Sequence, residues 1–175
     1  MKLNNIKIYN YRCFKEADID FDNHTTLIVG KNGASKTAIL DAVAVSTFLL
    51  GIDGGVSRSI SKDDARYEFH DLDGTVDPQH QFPVSIESKG DCLEDHDVKW
   101  VRSLNSESGN TTIKEAKELT NISKDVQKRI MTGDKSLILP LISYYGTGRL
   151  YAQKKECRRW LIVGFFQVII MVRLP

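Results

Sequence analysis

The sequence is short of cysteine: Cys13, Cys92 and Cys157 lie far apart, are odd in number and form no C-x-x-C pair. That excludes a disulfide scaffold and points to reduced, intracellular thiols. An excess of one charge is missing too. Lys and Arg total 24 against 23 acids, a net of +1, so no global pull toward nucleic acid is expected. The balance is uneven, with a net of +5 over residues 149–175 and −4 over the first 148. Met1-Lys2-Leu3-Asn4-Asn5 has no apolar signal core, so a cytoplasmic location is expected. Membrane-length hydrophobic runs are lacking: the uncharged stretch 160–172 falls short of the ~20 residues a helix needs to cross a bilayer. What remains, 41% hydrophobic and 27% charged over 175 residues, is the composition of one globular domain with a real core.

One stretch organises the rest: Gly30-Lys31-Asn32-Gly33-Ala34-Ser35-Lys36-Thr37. A β-prone run, 25–29, precedes it, and a helical run, 37–50, follows. Strand, glycine-bearing loop, lysine, hydroxyl and helix, in that order, suit a triphosphate. Loop amides make an anion-binding nest, and the helix N-terminus adds unpaired N–H groups and the positive end of its dipole. Lys36 is expected at the β- and γ-phosphates, and Thr37 is expected to give its hydroxyl to Mg²⁺. The match to G-x-x-x-x-G-K-[ST] has one departure, Ser35 in place of the second glycine. If that position needs positive φ, serine costs roughly 1 kcal/mol, although its hydroxyl could donate to a phosphate oxygen. The bland reading is an ordinary Gly/Asn turn before a helix.

Around this stretch the pattern predicts strands at 3–9 and 17–21, with Ile6 and Ile8 on one face and a turn at 10–14. The helix after the loop has Asp41 as its only charge between Ala38 and Leu50, so it is expected to be buried, between two sheets. Residues 51–81 read mostly as loop. Residues 82–88 and 98–104 read as an antiparallel hairpin attached to the main sheet. Residues 111–131 read as an outer helix whose apolar stripe is Ile113, Ala116, Leu119, Ile122, Val126 and Ile130. Residues 137–145 read as a buried or edge strand. The segment 160–172 reads as a buried strand, an interfacial segment, or sequence never selected to fold here.

Three segments together carry a family resemblance: Ile6-Lys7-Ile8-Tyr9-Asn10-Tyr11-Arg12-Cys13-Phe14, Ile28-Val29-Gly30 through Thr37, and Ile39-Leu40-Asp41-Ala42. They resemble the N-terminal lobe of RecF/SMC-type ATPases of the ABC class, and in particular the AAA-labelled bacterial ATPases of anti-phage systems and of OLD-nuclease neighbourhoods. The run Leu139-Pro140-Leu141-Ile142-Ser143-Tyr144-Tyr145-Gly146-Thr147-Gly148-Arg149 resembles a segment those proteins carry after the N-lobe sheet. The resemblance implies an α/β P-loop NTPase fold, an ABC/RecF-like N-lobe with an antiparallel β-subdomain on a central sheet. Residues 1–150 would form this partial ATPase domain and 151–175 an atypical basic and apolar tail. It implies ATP and Mg²⁺ as cofactors. Asn32, Gly33, Ala34, Ser35, Lys36 and Thr37 would wrap the phosphates, with Thr37 on the metal. Arg12 would contact a phosphate or the ribose; its bland reading is a surface cation after a strand. Tyr11 would face the base. Two heads would pair as a homodimer in an intact relative, coupled to DNA or a partner nuclease.

No catalytic residue is assigned. Hydrolysis calls for an apolar strand ending in Asp and then Glu, and for a Ser-Gly-Gly-type signature. After Asp134 the only carboxylate is Glu156, and no Ser-Gly-Gly occurs. The chain therefore reads as an N-lobe fragment, with a frameshift or early stop expected as the origin of the tail. Three other patterns compete. Asp71-Leu72-Asp73-Gly74-Thr75 matches the D-x-D-G-T of haloacid-dehalogenase-type phosphatases, but a polar run precedes it and an exposed Asp/Gly turn suits it better. His70, His80, Cys92 and His96 lack a zinc spacing. The basic cluster 154–159 is the only membrane-surface signal, and without helical amphipathicity no membrane partner is expected.

Overall fold

The computed structural model describes residues 2–46, 59–72 and 75–138. Expectations for residues 47–50, for Asp73 and Gly74, for 139–149 and for the tail lie outside them. Four strands form one antiparallel sheet: β1 (Lys2–Tyr11), β2 (Phe14–Asp20), β5 (Val84–Cys92) and β6 (Asp95–Leu104), ordered β2-β1-β5-β6. A second sheet holds only β3 (Tyr67–Leu72) and β4 (Thr75–His80). The helices are α1 (Lys36–Ser46) and α2 (Lys117–Met131). The fold is thus mixed α/β, with the antiparallel subdomain the resemblance implied.

Period-two alternation builds the large sheet. Ile6 and Ile8 of β1 face the core, and Ile8 is in register with Ala17 on β2 and Ile86 on β5. Val84 and Ile86 of β5 and Val98, Trp100 and Leu104 of β6 continue the same buried face. The β1–β5 ladder slips at a bulge where Gly90 meets Leu3. A Cβ on Gly90 would land on the carbonyl oxygen of Lys2, so the strands approach that closely only because no side chain is present. Helix α1 lies against β1, β5 and β6, burying Ala38, Ala42, Val43 and Val45. Ala116 and Leu119, at the start of α2, close the core beside β6. Ile113 and Ile130, at the ends of the α2 stripe, are exposed.

Three expectations are corrected. Residues 25–29 form no strand, and Leu27 and Val29 stand 62% and 80% exposed. An apolar run takes strand form only with a ladder partner, and none of the described strands lies beside it. Among the described residues the sheet that α1 packs against is the four-stranded one, where two sheets were expected. Residues 67–80, expected as loop, pair as a hairpin from Tyr67↔His80 to Leu72↔Thr75. Pro78 obscured this, because proline is tolerated on an edge strand but argues against a central one.

Candidate functional site

The glycine-bearing loop curls. Gly33 adopts φ +82° and Ser35 φ +56°, both left-handed, and the Ala34 amide donates to Lys31 O at 3.1 Å. Ser35 therefore occupies the conformation that a glycine would enter freely. The Ser35 carbonyl starts the helix, accepting from the amides of Ala38 (3.0 Å) and Ile39 (3.4 Å). A Cβ on Gly30 would meet Ala34 Cβ at 3.2 Å, so the loop closes tightly on itself.

Lys36 does not reach into solvent. It is 8% exposed, and its Nζ donates to Gly30 O (2.6 Å) and Lys31 O (2.8 Å). The ammonium is thus held against the loop rim by carbonyls rather than by a carboxylate. Thr37 is half-buried in the first turn of α1, where the leading helix amides have no intrahelical partner. Asn32, Gly33 and Ala34 lie exposed at the loop tip. These residues fit a phosphate chain. For a hard cation the described site offers the Thr37 hydroxyl, and among the described residues no cluster of His, Cys, Asp and Glu could hold a metal alone.

Arg12 stands at the turn between β1 and β2, itself at φ +52°. Its NH1 pairs with Asp41 Oδ2 at 2.5 Å, and its Nε donates to Asp64 Oδ1 at 3.0 Å. Its amide also donates to Asp64 O at 2.6 Å. The other Asp64 oxygen accepts from the amide (3.1 Å) and hydroxyl (3.2 Å) of Ser61. Partial burial works against the guanidinium charge, but Tyr11 and the two carboxylates outweigh it and raise its pKa. Arg12 therefore ties the β1 turn, helix α1 and the short 3-10 turn Lys62–Asp64 into one node. It lines an open cleft of about 760 Å³ with Ser59, Ser61, Asp63, Asp64 and Tyr67. Asp41 lies one helical turn after Thr37, roughly 6 Å along the axis, so its pair with Arg12 links the first turns of α1 to a residue that lines the cleft. Tyr11, expected at the base, is instead fully buried in the core.

The carboxylates that hold Arg12 went unassigned in the sequence reading. Asp41 carried a signal: a lone charge inside an apolar helix must find a partner. Asp64 carried none, since it lies in a segment read as loop. Of the rival patterns, Asp71 is exposed on the β3–β4 hairpin, not at the end of a buried strand. Cys92 is buried, and burial pushes its thiol pKa up to about 11, whereas His96 is exposed, so the two form no ligand pair. No helix among the described residues is long and apolar enough to cross a membrane.

An AAA domain family model matches residues 5–162. The chain belongs to the AAA domain family. Within it, the AAA domain is similar to a DNA replication and repair protein RecF of Flavobacterium johnsoniae, 49% identical over 43 residues, 25% of this chain and 12% of that protein. It is similar to the DNA double-strand break repair Rad50 ATPase of Pyrococcus abyssi, 38% identical over 48 residues, 27% of this chain and 6% of that protein. A RecF of Actinobacillus pleuropneumoniae is 32% identical over 115 residues, 63% of this chain and 29% of that protein. The AAA domain thus spans under a third of the length of these curated relatives.

Proposed function

We propose that this AAA domain binds ATP with Mg²⁺ at residues 30–37. The observation that carries the reading is the Lys36 ammonium, folded onto Gly30 O and Lys31 O at the head of a buried helix. Asn32 to Lys36 would wrap the β- and γ-phosphates with amides and one ammonium. Thr37 would give its hydroxyl to Mg²⁺, which when bound neutralises charge between the phosphates. Arg12, engaged by Asp41 and Asp64, would face the nucleoside rather than act as a free phosphate ligand. Asp63 and the hydroxyls of Ser59, Ser61 and Tyr67 suit a ribose and an amino-bearing base better than an anion.

Hydrolysis needs an Asp-Glu pair at a strand end and a signature loop, and the sequence holds neither. We assign binding to these residues and hydrolysis to an assembly that supplies the missing groups. The similarity to RecF and to the Rad50 ATPase supports a DNA-repair setting; an anti-phage role, pairing of two heads, and coupling to DNA or a nuclease rest on the resemblance alone, and a cytoplasmic location on the N-terminal sequence and the cysteine usage. The test is thermal unfolding with and without MgATP. Wild type is expected to melt several degrees higher with nucleotide, and Lys36→Ala to show no shift. Equal shifts in the two would remove the assignment.

A further inference from the structure

Strand β6 carries an arginine in an otherwise apolar stripe. Val98, Trp100, Arg102 and Leu104 alternate onto the buried face, and Arg102 is only 2% exposed. Burial pulls its guanidinium pKa below the ordinary value, so the site works against the charge it contains. The contacts explain why it is there. Arg102 NH1 donates to Val45 O at 2.9 Å, and the neighbouring Trp100 Nε1 donates to Ser46 O at 2.9 Å. These are consecutive carbonyls at the described end of α1, the helix whose first turn carries Lys36 and Thr37. Two donors on β6, a guanidinium and an indole, thus hold neighbouring carbonyls of α1 from outside the helix.

We propose that Trp100 and Arg102 are positioning residues of the phosphate site. They hold the described end of α1, Val45 and Ser46, and the described helix, about 16 Å long, joins that end to Lys36 and Thr37 as a packed rod. Its N-terminal amides, Lys36 and Thr37 are therefore placed from β6. Capture of a triphosphate at one end of α1 is felt at the other, where Trp100 reads it. Apolar residues at 100 and 102 would bury the same surface without setting the axial position of the helix, because packing alone is not directional.

The inference rests on the nucleotide reading above, and one set of measurements separates the two. The sequence has two tryptophans, so Trp160→Phe in the full chain leaves Trp100 as sole reporter. MgATP is expected to change its emission saturably, and Lys36→Ala to abolish the change. Calorimetric titration should show Arg102→Met weakening MgATP binding by about tenfold. Arg102→Lys, which keeps a charged donor, should restore most of it. Nucleotide bound by wild type but silent at Trp100, or bound equally well by folded Arg102→Met, overturns the positioning role alone. If Arg102→Met does not fold, Trp100 emission decides. A wild-type chain that binds no MgATP overturns the site reading and this inference with it.

Discussion

At the scale of single residues, Ser35 is the clearest case of a local cost retained at the site. Its φ of +56° is open to glycine and unfavourable for any residue with a Cβ. Ser35→Gly is expected to stabilise the folded chain by about 1 kcal/mol, read as a higher urea midpoint. If the serine hydroxyl serves a phosphate oxygen, the same variant will bind MgATP more weakly while melting later. The described thiols differ in the same way, through their surroundings. Cys13 is exposed, and Cys92 is buried with its pKa raised to about 11. An aromatic disulfide reagent at mildly alkaline pH should label Cys13 within minutes and Cys92 only after denaturation. Rapid native labelling at Cys92 would contradict the packing around it.

At the scale of elements, close approach and terminal charge decide stability. Gly90→Ala forces β1 and β5 apart at their bulge, and overpacking of this kind costs typically 1–3 kcal/mol. A chemical denaturation curve displaced by less than that would show that the ladder yields there. After the end of α2, Asp134 accepts from the hydroxyl (2.6 Å) and amide (2.9 Å) of Ser136 and from Arg129 Nε (3.0 Å). These contacts, Ser136 first and Arg129 after it, hold its carboxyl pKa down from 3.8 to about 2. A depressed folded-state pKa stabilises above the unfolded value, and that contribution is lost as pH falls through the folded one. Wild type should therefore lose melting temperature more steeply than Asp134→Asn between pH 3.8 and about 2.

At the scale of the whole molecule, the core belongs to the four-stranded sheet and the two helices, and the hairpin stands apart from it. Ile86 is fully buried between Ile8 and Arg102, whereas Phe69 on β3 is 72% exposed. Ile86→Ala is expected to cost about 2–5 kcal/mol, and Phe69→Ala within about 0.5 kcal/mol of nothing. Similar losses in both would mean that the small sheet folds as part of the core.

Local chemistry in the chain was enough to locate the curled glycine-bearing loop ahead of α1, β1, β2, the β5–β6 hairpin and the amphipathic α2. Each rests on short-range causes: alternation of period two or near four, a glycine where φ turns positive, a lysine and a hydroxyl at a helix start. Contacts between distant positions were beyond such reasoning. That Arg12 answers to Asp41 and Asp64, that Tyr11 is walled into the core, and that 25–29 lacks a ladder all depend on which surfaces meet. Period and propensity describe one segment at a time, while burial and pairing are properties of two. The chain alone could therefore say what the loop is suited to hold, and only packing could say how α1 is held behind it.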